Sequence, residues 1–352
     1  MGLEEAYSKL QWNELEKQLQ SLYPQWDISL FQLVQMIIQG RGMEALGQIT
    51  DGLKENILLE WATWKNIFIT ITIVILLSAI FVTFKDAFQN HQIADISFYI
   101  NYLILIILFT SLFQSMLETG EATLSRIEEF MRIFFPAYFM TLGIAAGAAT
   151  GIIYYQLACL VIYLVELLLK SILLPAISVY MLFSIMNGVW GEDRLELLLD
   201  LWRKGMKTGL KLLLGLLTGA GIIQSMITPV MEKVKSETVY KAVEAIPGVG
   251  DLTEGAMRLW LGSTVLIKNS IGVVGCILLV AITLAPLLKI AAVGLMLKAV
   301  AALMGMVGDK RVIRFTSCVG DGILLLLQTV AYGVLFFFVL IAITAYTTNG
   351  GF

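Results

Sequence analysis

Five ionisable side chains sit inside or at the edges of long apolar tracts in this chain: Glu166, Lys268, Lys289, Lys298 and Asp321. A charge at the centre of a bilayer costs about 2.5–3.5 kcal/mol on insertion scales, so such a group faces a cavity or a partner. Lys268 and Lys289 bracket one charge-free window, the placement of ammonium groups that snorkel to opposite interfaces. Lys298 and Asp321 each interrupt an otherwise apolar tract. They are the strongest candidates for an intramembrane ion pair or for a proton or solute pathway. A second signal is Gly248-Val249-Gly250-Asp251, a GxGD run like that of intramembrane aspartyl proteases. That chemistry needs two carboxyls sharing a proton, and Asp321 is the conceivable partner. The motif instead reads as a turn in a loop, because Pro247, Glu244, Glu254 and Arg258 surround it.

Other chemistry finds no support. There is no P-loop, HExxH or GxSxG arrangement. Cys159, Cys276 and Cys318 have neither CxxC nor zinc spacing and are expected to be buried packing thiols. The single histidine, His91, lies in a short polar stretch, which argues against a histidine metal site or a Ser-His hydrolase. The expectation is a non-enzyme without metal or cofactor.

The elements that must position these residues are set by composition. Of 352 residues, 58% are hydrophobic and 14% charged, against about 25% charged in soluble domains. The net charge of −3 offers no basic field for nucleic acid. Seven windows carry no Asp, Glu, Lys or Arg: 66–84, 96–117, 133–165, 171–191, 212–231, 269–288 and 322–352. All 51 charges therefore fall in the other 186 residues, an ordinary aqueous density. A spanning helix needs about 20 apolar residues, so the fold class is an all-α polytopic membrane protein. Residues 133–165 would reach about 50 Å as one helix. They read as a hairpin broken within the Gly/Ala-rich stretch Gly143 to Gly151, although one long tilted span would also satisfy the charge pattern. With the hairpin, about eight transmembrane helices result, joined by interfacial amphipathic helices.

Residues 1–65 form an amphipathic, extracytoplasmic N-terminal segment in this reading. It carries nine acidic and five basic residues and no signal-peptide pattern at Met1. Its stripes run Leu3, Tyr7, Leu10, Leu15, Leu19, Leu22 and then Leu46, Ile49, Leu53, Ile57. Trp61 and Trp64 are interfacial anchors at the first span. Residues 66–350 form the multi-span domain. Within it, 192–211 carries five basic residues beside an apolar face of Leu195, Leu198, Leu199, Trp202, Met206 and Leu210. That is an interfacial helix on the cytoplasmic side, with Trp202 as anchor. A polar extracytoplasmic insertion occupies 232–265. Residues 290–308, interrupted by Lys298, read as a re-entrant or interface segment.

Gly143, Gly147 and Gly151, and again Gly215 and Gly219, are spaced four apart. Such ladders let helix backbones approach in lipid, so they are candidate packing or homo-oligomer seams. Pro136, Pro175, Pro229 and Pro286 fall in or beside apolar windows, where proline kinks a helix and can shape a cavity.

The order Ile246-Pro247-Gly248-Val249-Gly250-Asp251, Leu266-Ile267-Lys268-Asn269-Ser270-Ile271-Gly272 and Pro286-Leu287-Leu288-Lys289-Ile290 resembles the stage III sporulation protein AE family of endospore-forming bacteria. The likeness runs from about residue 60 to 350 and takes in Pro136, Pro175 and Gly308-Asp309. It implies a membrane component of the channel-like complex joining mother cell to forespore, in the mother-cell-derived membrane around the forespore. The partners it implies are other membrane proteins of the same operon, with an ATPase and ring-forming proteins, and a forespore-side ring partner. It leaves open whether the complex conducts metabolites or links two membranes, and it carries over no catalytic residue. Family members usually begin with a secretion signal, which favours an outside location for residues 1–65. A small-solute transporter and, more remotely, an intramembrane aspartyl protease are the competing readings.

Overall fold

A computed structural model describes residues 29–42, 91–146, 148–190, 195–219, 250–305 and 310–347, with Glu44, Gly47, Lys65, Ile69 and Ile73 as single positions. Among these every regular element is helical, as hydrocarbon demands when no water can satisfy open backbone groups. The helices are α1 (Leu30–Ile38), α2 (His91–Ala146), α3 (Ala148–Glu166), α4 (Leu174–Trp190), α5 (residues 196–219), α6 (Gly250–Met304) and α7 (Lys310–Thr347). A π-helical segment, Leu167–Leu173, joins α3 to α4. Four helical stretches are long and apolar enough to cross a membrane: Tyr102–Met140, Ala158–Gly188, Asn269–Met304 and Lys310–Ala345.

Side-chain contacts set the directions. Phe109 meets Phe315 at 5.6 Å between ring centroids, Gly120 abuts Leu326, and Leu124 abuts Gly333. These contacts advance together, so α2 and α7 run parallel. Gly294 abuts Leu324 while Gly272 faces Ile341, so α6 runs antiparallel to α7. Gly322 lies against Tyr180 and Gly333 against Leu169, so the π segment and α4 also oppose α7. Phe139 meets Tyr155 at 6.0 Å. Sixteen residues of straight helix would separate those rings by about 24 Å, so α3 folds back along α2. The hairpin expected within Gly143 to Gly151 is therefore present.

The core is a filled seam of aromatic and branched side chains. Phe130, Phe134 and Tyr138 stack along one face of α2 with centroids 5.4 and 5.5 Å apart. Gly275 of α6 sits so close to the Phe134 ring that a methyl group there would overlap it. Hydroxyls in this apolar setting bond back to their own helix: Ser184, Thr283, Thr316, Thr329 and Thr344 each donate to the carbonyl four residues earlier. The short helix α1 packs on α6 with Leu33 and Val34 buried. It ends at Gly40, whose φ of 75° is the left-handed cap. There the Gly40 and Arg41 N–H groups bond to the Ile37 and Met36 carbonyls.

Several boundaries differ from those the charge pattern suggests. Residues 118–132 do not separate two spans; α2 runs through them as one helix of 56 residues, about 84 Å long. Glu and Arg are good helix formers, and part of this charge is neutralised inside the bundle. The second half of 133–165 likewise continues through the π segment into 171–191. Windows counted as four spans thus belong to two continuous helical runs, while 66–84 and 212–231 lie largely outside the described residues. Residues 290–304 are no re-entrant segment but the end of α6, because nothing there breaks a helix and Lys298 has partners. Residues 250–265, the end of the polar insertion, are helical and continuous with the apolar part of α6. Asp251 therefore lies on a helix, not in a loop. Pro136 and Pro286 are held inside α2 and α6. Pro175 stands in the first turn of α4, directly after the π segment, whose last bond runs from the Leu174 N–H to the Leu169 carbonyl five residues back.

Candidate functional site

The chain brings Lys298 and Asp321 together, as their positions allowed. Asp321 stands between Gly320 and Gly322 on α7. A methyl group at Gly320 would lie 3.3 Å from the Gly294 carbonyl oxygen and 3.3 Å from Lys298 Cγ. At Gly322 it would lie 3.6 Å from the Tyr180 ring. Two missing side chains thus let α6 and α4 close on the carboxylate. Lys298 Nζ reaches Asp321 Oδ1 at 2.7 Å and donates to Ser317 Oγ at 2.8 Å.

The residue that sequence reasoning missed is Arg203. Its guanidinium lies 2.9 Å from Asp321 Oδ2 and donates to the Tyr180 hydroxyl at 2.9 Å. It also sits over the Tyr180 ring, 5.8 Å from the centroid. Side-chain exposure is 17% for Asp321, 27% for Arg203 and 32% for Lys298, so one carboxylate is shared by two cations away from bulk water. Next to Arg203, Trp202 donates its indole N–H to the Ala176 carbonyl at 2.9 Å and packs edge-on against Phe183. Trp202 and Arg203 therefore dock α5 onto α4 and α7. On the outer side of α5, Lys204 pairs with Asp200 at 3.0 Å and holds that carboxyl below its usual value.

A second charged cluster gathers around the π segment. Lys170 lies 2.6 Å from Glu128 and 3.9 Å from Glu166. Arg132 pairs with Glu128 and reaches Glu166 at 3.6 Å. Glu166 is thus tied to α2. Glu118, Glu121, Arg126, Glu129 and Arg132 form an exposed stripe on α2 at helical spacing.

The remaining candidates fare unevenly. Lys289 is half-buried in α6; Lys268 lies on the same helix, with no described side chain. Gly215 and Gly219 have nothing within 4 Å of an added methyl group, so they pack against none of the other described residues. Gly143 and Gly151 lie on the two helices flanking residue 147; Gly147, Trp61, Trp64 and Pro229 lie outside the described residues. Cys159 is exposed rather than buried, while Cys276 and Cys318 are partly buried; α3 simply presents position 159 to the outside. Asp251 and Asp321 cannot share a proton. Lys298 holds Asp321, and Asp251 stands 47 residues back along the same continuous helix, about 70 Å away.

The family model for stage III sporulation protein AE matches residues 28–348. The chain belongs to the stage III sporulation protein AE family. Stage III sporulation protein AE of Bacillus subtilis (strain 168) is 21% identical over 267 residues, which cover 76% of this chain and 66% of that protein. No solved structure matches. Membership in the stage III sporulation protein AE family supports a role in sporulation, and the apolar helices mark a membrane protein.

Proposed function

We propose that this protein is a non-enzymatic subunit of the channel-like complex between mother cell and forespore, set in the mother-cell-derived membrane around the forespore. It acts there as a channel or scaffold component. The observation that carries this reading is the packed bundle: the seam between α2, α6 and α7 is filled by aromatic side chains, and Asp321 and Glu128 each pair with cations from neighbouring elements. Such a body holds a shape for others to assemble on. Its partners are other membrane proteins of the same operon and a forespore-side ring protein. The open glycine face of α5, Gly215 and Gly219, is the proposed seam to a second copy. The test is the composition and particle mass of the purified chain, alone and co-expressed with those operon proteins. Co-purification in a discrete particle is expected. Elution as an isolated chain under both conditions, in detergent and in nanodiscs, would overturn the proposal.

A second reading, transport of a small solute or proton, draws on one observation. Asp321, Lys298 and Arg203 form a half-buried charged triad, with Lys298 on the proline-containing helix α6. Intramembrane ionisable groups often mark such pathways.

A further inference from the structure

At the start of α7, beyond the triad, a pocket of about 140 Å³ opens between α7 and α4. Its lining includes Lys310, Arg311 and Arg314 from the first five residues of α7, Phe315 beside them, and Ser184 and Asn187 from α4. Helix N-termini carry the positive end of the macrodipole, so three cations there add to a field already positive. Arg314 lies 3.8 Å from Glu196, and acids are present nearby in sequence. Counting every charge in 192–211 and 298–321 leaves nine basic residues against six acidic ones. The region is +3 in a chain whose total is −3.

The pocket also has donors of the right kind. The Asn187 side-chain oxygen accepts the Leu195 N–H at 3.0 Å, so the group Asn187 brings to a ligand is its amide NH2. Its depth is fixed by α5, which begins beside it. Leu199, Met206 and Leu210 of α5 are buried, yet Leu197 and Leu201 are 86% and 69% exposed. A helix that buries one apolar face and still shows leucines outward beside lysines lies at a membrane surface. The cations of the pocket therefore stand at headgroup level.

We infer that this pocket binds the phosphate group of an anionic phospholipid, held by Lys310, Arg311, Arg314 and the Asn187 amide, with the acyl chains along the exposed leucines of α5. Basic pockets between spans are a known form of headgroup site. The inference rests on membrane residence alone and stands whether or not the protein is a channel subunit.

The test is native mass spectrometry of the full chain released from nanodiscs of mixed phosphatidylcholine and phosphatidylglycerol. Phosphatidylglycerol is expected to be retained in preference to phosphatidylcholine. The variant Lys310→Gln/Arg311→Gln/Arg314→Gln should lose that preference, by about fivefold in affinity for each cation removed. The variant Lys204→Gln/Lys207→Gln/Lys211→Gln, on the outer side of α5, should keep it. If the triple pocket variant does not fold, Arg311→Gln and Arg314→Gln singly should each show the smaller loss. Equal retention of the two lipids, or equal loss in the α5 variant, would overturn the site. Displacement of phosphatidylglycerol by inorganic phosphate at matched concentration would overturn the lipid as its occupant.

Discussion

One carboxylate shared by two cations has consequences that differ between a structural and a conducting role. Asp321 offsets Arg203 and Lys298 together. Removing its charge leaves two half-buried cations without their counter-ion, which costs a fraction of the roughly 3–5 kcal/mol of a fully buried pair. The expected outcome for Asp321→Asn is a correspondingly lower thermal stability in detergent. The triple variant Arg203→Gln/Lys298→Met/Asp321→Asn carries no unpaired charge and should recover most of that loss. Spore formation with the triple variant then separates the roles: a scaffold keeps working, whereas a pathway residue cannot be spared. Lys298 and Asp321 were legible in the sequence because each breaks an apolar tract. Arg203 was not, since it sits among Lys204, Lys207 and Lys211 on an amphipathic helix and nothing in that run marks the cation that turns inward. The usable signal was Gly320 and Gly322 on either side of Asp321, which announce that neighbours come close.

At the level of elements, glycine on α6 and aromatic residues on α2 form one fitted surface. Phe134 is 1% exposed and is stacked between Phe130 and Tyr138, so its ring has nowhere to retreat from a methyl group at position 275. Gly275→Ala should therefore destabilise the bundle by about 1–3 kcal/mol, the usual cost of overpacking, measured as a loss of thermal stability without change of helix content. Gly215→Ala, with no described residue within 4 Å, is the matched control and should not destabilise the single chain, since alanine favours a helix interior over glycine. The sequence located these helices well, because absence of charge over about 20 residues is a strong sign of hydrocarbon. It misplaced their ends. Glu118 to Arg132 falls between two charge-free windows, but in the fold Glu128 is paired by Lys170 and Arg132, and the other charges share one outward face. A charge pattern alone cannot tell a turn from a striped helix.

For the whole molecule, an 84 Å helix does not fit inside about 30 Å of hydrocarbon. Part of the bundle must stand in water, and the charged stripe of α2 says which part. Single cysteines at Glu121 or Glu129, in a background lacking Cys159, Cys276 and Cys318, should react quickly with a membrane-impermeant maleimide. Cysteines at Leu103 or Ile107, apolar and exposed on the same helix, should react slowly; equal rates would place the stripe against lipid or protein. The same helix has a mechanical side. From His91 to Ala146 α2 contains a single proline, Pro136, and no other break, while α7 runs beside it in the same direction. A partner pulling at one end would find no joint in the first 45 residues to take up the strain. The two rods would tilt or slide as struts, and a displacement imposed at one membrane face would arrive at the far end nearly undiminished.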